Sequence, residues 1–149
     1  MKILLIDDHK LIKIGIKVLL EDNEEFSVID DCSSKKEFLE KITNDSYDLF
    51  ICDISLSDGT GYDILKVIKE KKINTKVIIL SMYEDKSYIK KAFKLGASGY
   101  VTKSTAHEEI LLAIDKVMFK NDIYLNEKYA TIFYELFKED KEIELSERE

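Results

Sequence analysis

Short apolar runs alternate with segments of helical period through most of the chain. Ile3-Leu4-Leu5-Ile6, Leu49-Phe50-Ile51-Cys52 and Val77-Ile78-Ile79-Leu80 have no polar position, the pattern of strands covered on both faces. Phe26 to Ile29 and Tyr100-Val101 read as shorter strands. Between them, Lys10 to Leu20 sets Leu11, Ile12, Ile16, Leu19 and Leu20 on one helical stripe. Ser34 followed by Glu37 predicts a capping box opening a helix with Phe38, Leu39 and Ile42. Ser57 to Gly61 reads as a loop, and Tyr62 to Glu70 as a helix with Ile64, Leu65 and Ile68 inward. A helix over Tyr88 to Leu95 closes at Gly96, and another runs from Glu108 to Phe119. Beyond Asn126, Tyr129, Ile132, Phe133, Leu136 and Phe137 form one more stripe, expected to pack on its own domain or on a partner helix.

Strands alternating with helices predict βαβ units, and right-handed crossovers place helices on both faces of a parallel sheet. The expected fold is α/β, a doubly wound five-stranded parallel sheet followed by a C-terminal linker helix. Ligands of such sheets bind beyond the carboxyl ends of the strands. Asp7 and Asp8 follow the first strand, Asp53 ends the third, Ser81 ends the fourth and Lys103 follows the fifth. Residues distant in sequence therefore converge on one rim.

Composition narrows the function without naming it. The 149 residues carry a formal charge of -7, with 45% hydrophobic and 36% charged positions, which excludes a general grip on nucleic acid phosphates by this chain alone. Cys32 and Cys52 match no zinc or redox spacing, and Cys52 reads as a buried small hydrophobe. Both fit a reducing cytoplasmic location. Ile3 to Ile6 is too short for a signal peptide or a membrane span.

Three carboxylates at one rim repel one another, and Mg²⁺, a hard cation suited to oxygen ligands, relieves that repulsion. An opposing lysine can hold an anion, a serine hydroxyl can donate to a phosphoryl oxygen, and an aspartate can act as the nucleophile of phosphoryl transfer. Each residue alone has a plainer reading: Asp8 as a helix cap, Lys103 as a surface lysine, Ser81 as a strand-end hydroxyl, Tyr100 as core. Those readings do not account for five such positions on one rim. His9 and His107 read as surface or packing residues.

The set Asp7-Asp8, Asp53, Ser81, Lys103 resembles the receiver domains of two-component response regulators, over nearly all of residues 1–120. Asp53 to Gly61 and Gly96-Ala97-Ser98-Gly99-Tyr100-Val101-Thr102-Lys103 are similar to the family's phrases at the phosphoacceptor and the lysine. Leu80-Ser81-Met82-Tyr83 looks like the branch that carries LuxR-type DNA-binding domains. The resemblance implies a flavodoxin-like receiver fold with Asp53 as phosphoacceptor. It implies Mg²⁺ held by Asp8, Asp53, the backbone carbonyl of Ser55 and, through water, Asp7. Lys103 would pair with the phosphoryl group, Ser81 would move to it, and Tyr100 would turn inward behind it. It implies a sensor histidine kinase as donor, a homodimer on phosphorylation, control of transcription, and DNA contact only through a further C-terminal domain, with no membrane partner. Enzyme activity is then confined to Mg-dependent self-phosphorylation and self-dephosphorylation.

The chain departs from the family pattern at Ser57, where proline is usual, and at Asn121, where this branch often has glycine. Ser55 and Tyr83 sit where the family tunes dephosphorylation. The expected domains are a receiver over 1–120, a linker with an amphipathic helix over 121–144, and at 145–149 the start of a helix-turn-helix domain, since Leu145-Ser146-Glu147-Arg148-Glu149 resembles its opening. A chain cut before that domain and a natural stand-alone receiver are the two readings of this end. Three other functions fit less well. A phosphatase with an aspartyl intermediate needs an acid where Ser55 stands, a receiver working by contacts alone does not require all five positions, and Gly59 and Gly61 do not make a dinucleotide loop.

Overall fold

The structure, a computed structural model, describes residues 1–138. The strands are β1 (Lys2–Ile6), β2 (Val28–Cys32), β3 (Leu49–Asp53), β4 (Ser55–Leu56), β5 (Gly59–Thr60), β6 (Lys76–Ser81), β7 (Gly99–Thr102) and β8 (Tyr124–Leu125). The helices are α1 (Lys10–Glu21), α2 (Lys35–Asn44), α3 (Gly61–Glu70), α4 (Lys86–Lys94), α5 (Ala106–Ile114) and α6 (130–138). Six strands form one sheet in the order β2-β1-β3-β6-β7-β8, every pairing parallel. The chain winds outward from β1 through β2 on one side and through β3 on the other, so the topological switch point lies between β1 and β3.

The apolar strands explain the layering. Leu4 and Ile6 point into one core with Phe38, Phe50, Ile64 and Ile89, from α2, β3, α3 and α4. Ile3 and Leu5 point into the other with Ile16, Leu20, Ile110 and Ile114, from α1 and α5. Alternate residues of one strand thus feed opposite faces, and a strand covered on both has no place for a polar residue until its tip.

The expected doubly wound sheet is present, and β8 adds a sixth strand at the β7 edge. Glu109 holds it there, accepting from the Tyr124 hydroxyl and the Asn126 amide at 2.6 Å each. Strand β2 falls later than the expected Phe26 to Ile29, because Asp30 and Asp31 made its second half look like loop. Each has local partners: Lys41 (2.9 Å) and the Tyr47 hydroxyl (2.8 Å) for Asp30, Lys13 and Lys17 for Asp31. Phe26 is instead buried in the turn before the strand.

The expected capping box at Ser34 is half formed. Ser34 Oγ accepts from the Glu37 amide at 3.1 Å, but the Glu37 carboxylate takes the amide of Ser33. A complete, unanticipated box opens α3, between Thr60 and Asp63. Gly96 closes α4 at φ 104°, with Ala97 N–H reaching the Ala92 carbonyl at 3.0 Å. The expected helix to Phe119 stops being α-helical at Ile114 and widens into a π turn over Asp115–Phe119. The Lys120 amide reaches the Asp115 carbonyl at 3.1 Å, and the Lys76 ammonium donates to the Val117 carbonyl at 2.9 Å. Asn121 then turns the chain at φ 51°, the left-handed conformation its side chain tolerates.

Asn126 caps the turn into α6, and Ile132 of α6 is buried against the α4 side of the core, with Tyr129 and Leu136 beside it. The apolar stripe therefore packs on its own domain, while Tyr134 and Phe137 stay exposed. The segment 145–149 expected to open a further domain lies outside the described residues. No helix among the described residues is long and apolar enough to cross a membrane.

Candidate functional site

β1 and β3 end side by side at the switch point, and their tips carry the acids. The Asp7 amide donates to the Cys32 carbonyl at 3.1 Å, keeping the chain in the sheet one residue past β1. Asp7 Oδ1 then accepts from the His9 amide at 2.8 Å, a turn that sends the chain into α1. The first-turn cap position is His9, with no side-chain cap bond, so helix capping does not account for Asp8. Asp53 is the last residue of β3 and is only 3% exposed. Gly61 explains how α3 can start behind it: a Cβ there would stand 2.6 Å from the Asp53 carbonyl oxygen.

Lys103 leaves the tip of β7 and brings its ammonium between the two buried acids, 2.8 Å from Asp53 Oδ2 and 3.1 Å from Asp7 Oδ2. The other Asp53 oxygen accepts from the Ser55 amide at 3.2 Å. Asp8 is partly exposed at the mouth. Burial, the largest influence, pushes the Asp53 carboxyl above its ordinary value. The Lys103 ammonium pulls it back and the charge of Asp7 pushes it further up.

Ligand atoms of Asp7, Asp8, His9 and Asp53 all lie within 4.8 Å of one another. Three carboxylates against one ammonium leave two negative charges without a partner cation, the charge a divalent ion supplies. Asp7 Oδ2 is fully enclosed and, although it faces the ammonium, receives no directed hydrogen bond. The donor set is oxygen-rich and suits Mg²⁺.

The second half of the expected site sits on the neighbouring strands. Ser81 ends β6 and is completely buried. Its Oγ accepts from the Tyr83 amide at 3.0 Å. The Tyr100 phenol donates to the Tyr83 carbonyl at 2.6 Å. The Tyr83 peptide is thus held on both sides, by Ser81 Oγ and by the Tyr100 hydroxyl. The Tyr100 ring is 1% exposed and lies inside.

The structure therefore brings Asp7, Asp8, Asp53 and Lys103 into direct contact range and places Ser81 and Tyr100 on the next two strands, both bonded to the Tyr83 peptide. It also adds His9, which the sequence reading took as a surface or packing residue. The ring is half exposed, but Nδ1 turns inward, 3.0 Å from Asp7 Oδ1, 3.3 Å from Asp8 Oδ1 and 3.5 Å from Asp53 Oδ2. It is also 2.8 Å from the Lys103 ammonium. The signal was its place, directly after two rim acids. His107, by contrast, is exposed as expected.

Comparison with known proteins agrees with this arrangement. The profile of the response regulator receiver domain matches residues 3–115. The chain is 31% identical over 132 residues to the oxygen regulatory protein NreC of Staphylococcus haemolyticus, a match covering 88% of this chain and 60% of that protein. It is 31% identical over 150 positions to a nitrate/nitrite response regulator homolog of Haemophilus influenzae, covering 100% of this chain and 72% of the relative. Among solved structures, a LuxR-family two-component response regulator from Aurantimonas sp. superposes with a TM-score of 0.80 at 25% identity, covering 90% of this chain and 95% of that one. The non-phosphorylated receiver domain of Escherichia coli RcsB shares the fold, with a TM-score of 0.79 at 22% identity, covering 85% of this chain and 98% of that domain. Through the switch-point pocket, the sheet that builds it and these similarities, the chain belongs to the response regulator receiver domain family.

Proposed function

We propose that Asp53 accepts a phosphoryl group from a sensor histidine kinase and that the pocket around it converts this charge change into a signal. The observation that carries the reading is the Lys103 ammonium lodged between two buried carboxylates at the strand tips. A bond forms between an Asp53 carboxylate oxygen and phosphorus as the phosphorus–nitrogen bond of the donor's phosphohistidine breaks, its electron pair returning to the imidazole. Asp8, Asp53, the Ser55 carbonyl and, through water, Asp7 are the residues that would hold Mg²⁺, which supplies charge neutralisation for the transferred oxygens. Lys103 keeps its contact with Asp53 before transfer and faces the phosphoryl oxygens after it. Ser81 turns its hydroxyl to donate to one of those oxygens.

The output belongs to a longer assembly. The chain spans about 60% of the length of the NreC proteins that it matches. We assign residues 1–120 to the receiver, 121–144 to a linker and 145–149 to the opening of a helix-turn-helix domain through which DNA would be bound and transcription controlled. Dimerisation follows phosphorylation, and the buried, unpaired cysteines fit a cytoplasmic setting. The exposed Leu11, Ile14 and Val18 of α1, on the helix that begins at the pocket, offer the kinase an apolar docking face.

Incubation with acetyl phosphate and Mg²⁺ tests the reading. The expected result is one phosphoryl mass on the wild type and none on Asp53→Asn. No adduct on the wild type, or an undiminished adduct on the variant, rejects it.

A further inference from the structure

We propose that Asp58 is a positioning residue: by tying the tip of the β4–β5 hairpin to the N-terminus of α2, it holds the Ser55 peptide in place for Asp53 and for the metal ion. The inference rests on the metal reading given above and adds to it a residue that acts from outside the pocket.

The chain between Asp53 and α3 is a hairpin in miniature. Ser55 pairs with Thr60 and Leu56 with Gly59, leaving Ser57 and Asp58 as a two-residue turn. Turns of this length match the twist of their strands when the central residues have positive φ. Neither Ser57 nor Asp58 has it, and the chain has no proline to stiffen the turn. A two-stranded hairpin this short is not stable by itself, so its form comes from what it is tied to.

The base is tied to α3. The Gly61 amide donates to the Ile54 carbonyl at 2.8 Å, and the Thr60 amide to Asp63 Oδ2 at 2.9 Å. Leu56 buries its side chain in the core, which sets its depth but not the direction of the peptides around it. The tip is tied to α2 by Asp58. Its Oδ1 accepts from the Lys35 amide at 2.8 Å and its Oδ2 from the Lys36 amide at 2.9 Å. These are the first two residues of α2, whose amides have no acceptor within the helix. The third amide, of Glu37, goes to Ser34 Oγ. The Asp58 carboxylate thus has both oxygens engaged at the positive end of the helix dipole, and the two amides hold its carboxyl below the ordinary value. Gly59 lets the tip lie close, since an added Cβ there would stand 3.1 Å from Lys35 Cδ.

Ser55 lies between the two anchors. Its amide donates to Asp53 Oδ1 at 3.2 Å, and its carbonyl is one of the proposed metal ligands. A shift of the tip passes through the Leu56–Gly59 and Ser55–Thr60 pairs to both groups at once. Asp58 acts through the Ser55 peptide. Partners that orient metal ligands from outside are worth about 10- to 100-fold in affinity, and an anchor three residues away from its ligand belongs at the lower end.

NMR titration of the isotope-labelled full chain with Mg²⁺, read at the Asp53 and Ser55 amides, tests the role. Asp58→Ala should weaken Mg²⁺ binding by about 10-fold, with the fold retained by circular dichroism. Ser34→Ala removes another cap of α2 but has no tie to the hairpin, and should keep the wild-type affinity. Asp58→Asn retains one oxygen for the amides and should fall between wild type and Asp58→Ala. Wild-type affinity in Asp58→Ala, or an equal loss in Ser34→Ala, overturns the positioning role and leaves the metal reading standing. Equal losses in Asp58→Ala and Asp58→Asn assign the effect to charge and overturn it too. A wild type whose amides do not respond to Mg²⁺ overturns both readings.

Discussion

Gly61 offers a stringent test of how the nucleophile is positioned. A methyl added there would stand 2.6 Å from the Asp53 carbonyl oxygen, 3.1 Å from Ile54 Cα and 3.2 Å from the Asp53 carbonyl carbon. Carbon and oxygen ordinarily meet at about 3.3 Å, so the overlap is about 0.7 Å. All three opposing atoms are backbone, and the Gly61 amide is itself bonded to the Ile54 carbonyl at 2.8 Å. No side-chain rotation relieves the clash, so the tip of β3 has to move away from α3. Overpacking of this kind costs about 1–3 kcal/mol. A displacement approaching 1 Å at a reacting group can cost about 100-fold in rate. Gly61→Ala should therefore lower the urea midpoint, followed by far-ultraviolet circular dichroism because the chain has no tryptophan, and should slow phosphorylation of Asp53.

Two other glycines calibrate the measurement. At Gly59 an added methyl meets Asp63 Oδ2 at 3.0 Å and Lys35 Cδ at 3.1 Å, side-chain atoms that can shift, so Gly59→Ala should cost less. At Gly15, within α1, nothing lies within 4 Å, and alanine there should stabilise by about 0.5–1 kcal/mol through helix propensity. If Gly61→Ala matched the wild type in both midpoint and phosphorylation rate, the close approach of α3 to Asp53 would not be what places the carboxylate.

Other perturbations probe separate parts of the account. Lys103→Met should lower the phosphorylation rate by about 100-fold, as expected for loss of one preorganised charge at a transferring group, with the fold retained by circular dichroism. Phe38→Ala, at a fully buried ring packed edge-on against Phe50 at 5.2 Å, should cost about 3–5 kcal/mol in urea unfolding. Asp30 gives a pH signature. Burial raises its carboxyl, but hydrogen bonds from Lys41, Tyr47 and the Asp31 amide together hold it below the ordinary value. Its contribution is therefore present above about pH 4 and disappears as pH falls through the lowered value, so the stability deficit of Asp30→Asn at pH 7 should shrink in acid. Equal deficits at both pH values would show that the carboxylate is not what matters there.

The site was legible in the sequence because a doubly wound sheet turns sequence order into spatial order. Asp7, Asp53, Ser81 and Lys103 each end or follow an apolar run that cannot tolerate a polar residue earlier, so their places on one rim followed from pattern alone. What escaped depended on partners far along the chain. β2 was displaced because Asp30 and Asp31 read as loop until Lys41, Tyr47, Lys13 and Lys17 are seen to satisfy them. β8 is two residues long and depends on Glu109 of α5, which no local periodicity reveals. The Val117 carbonyl in the π turn accepts from Lys76, 41 residues earlier, a partner no local pattern reveals. His9 was weighed as an isolated histidine, although its place after Asp8 already put it on the rim. Tyr100 was singled out by its place in the resemblance to the receiver family, and its bond to the Tyr83 carbonyl depends on a loop that no periodicity describes.

The most direct measurement is to locate the phosphoryl group itself. Borohydride reduces an aspartyl phosphate to homoserine, and peptide mapping of the phosphorylated, reduced chain then reads the modified position. The account predicts homoserine at position 53, dependent on Mg²⁺ and absent from Asp53→Asn. Homoserine at position 7 or 8, or a phosphoryl adduct that leaves Asp53 intact, would contradict it.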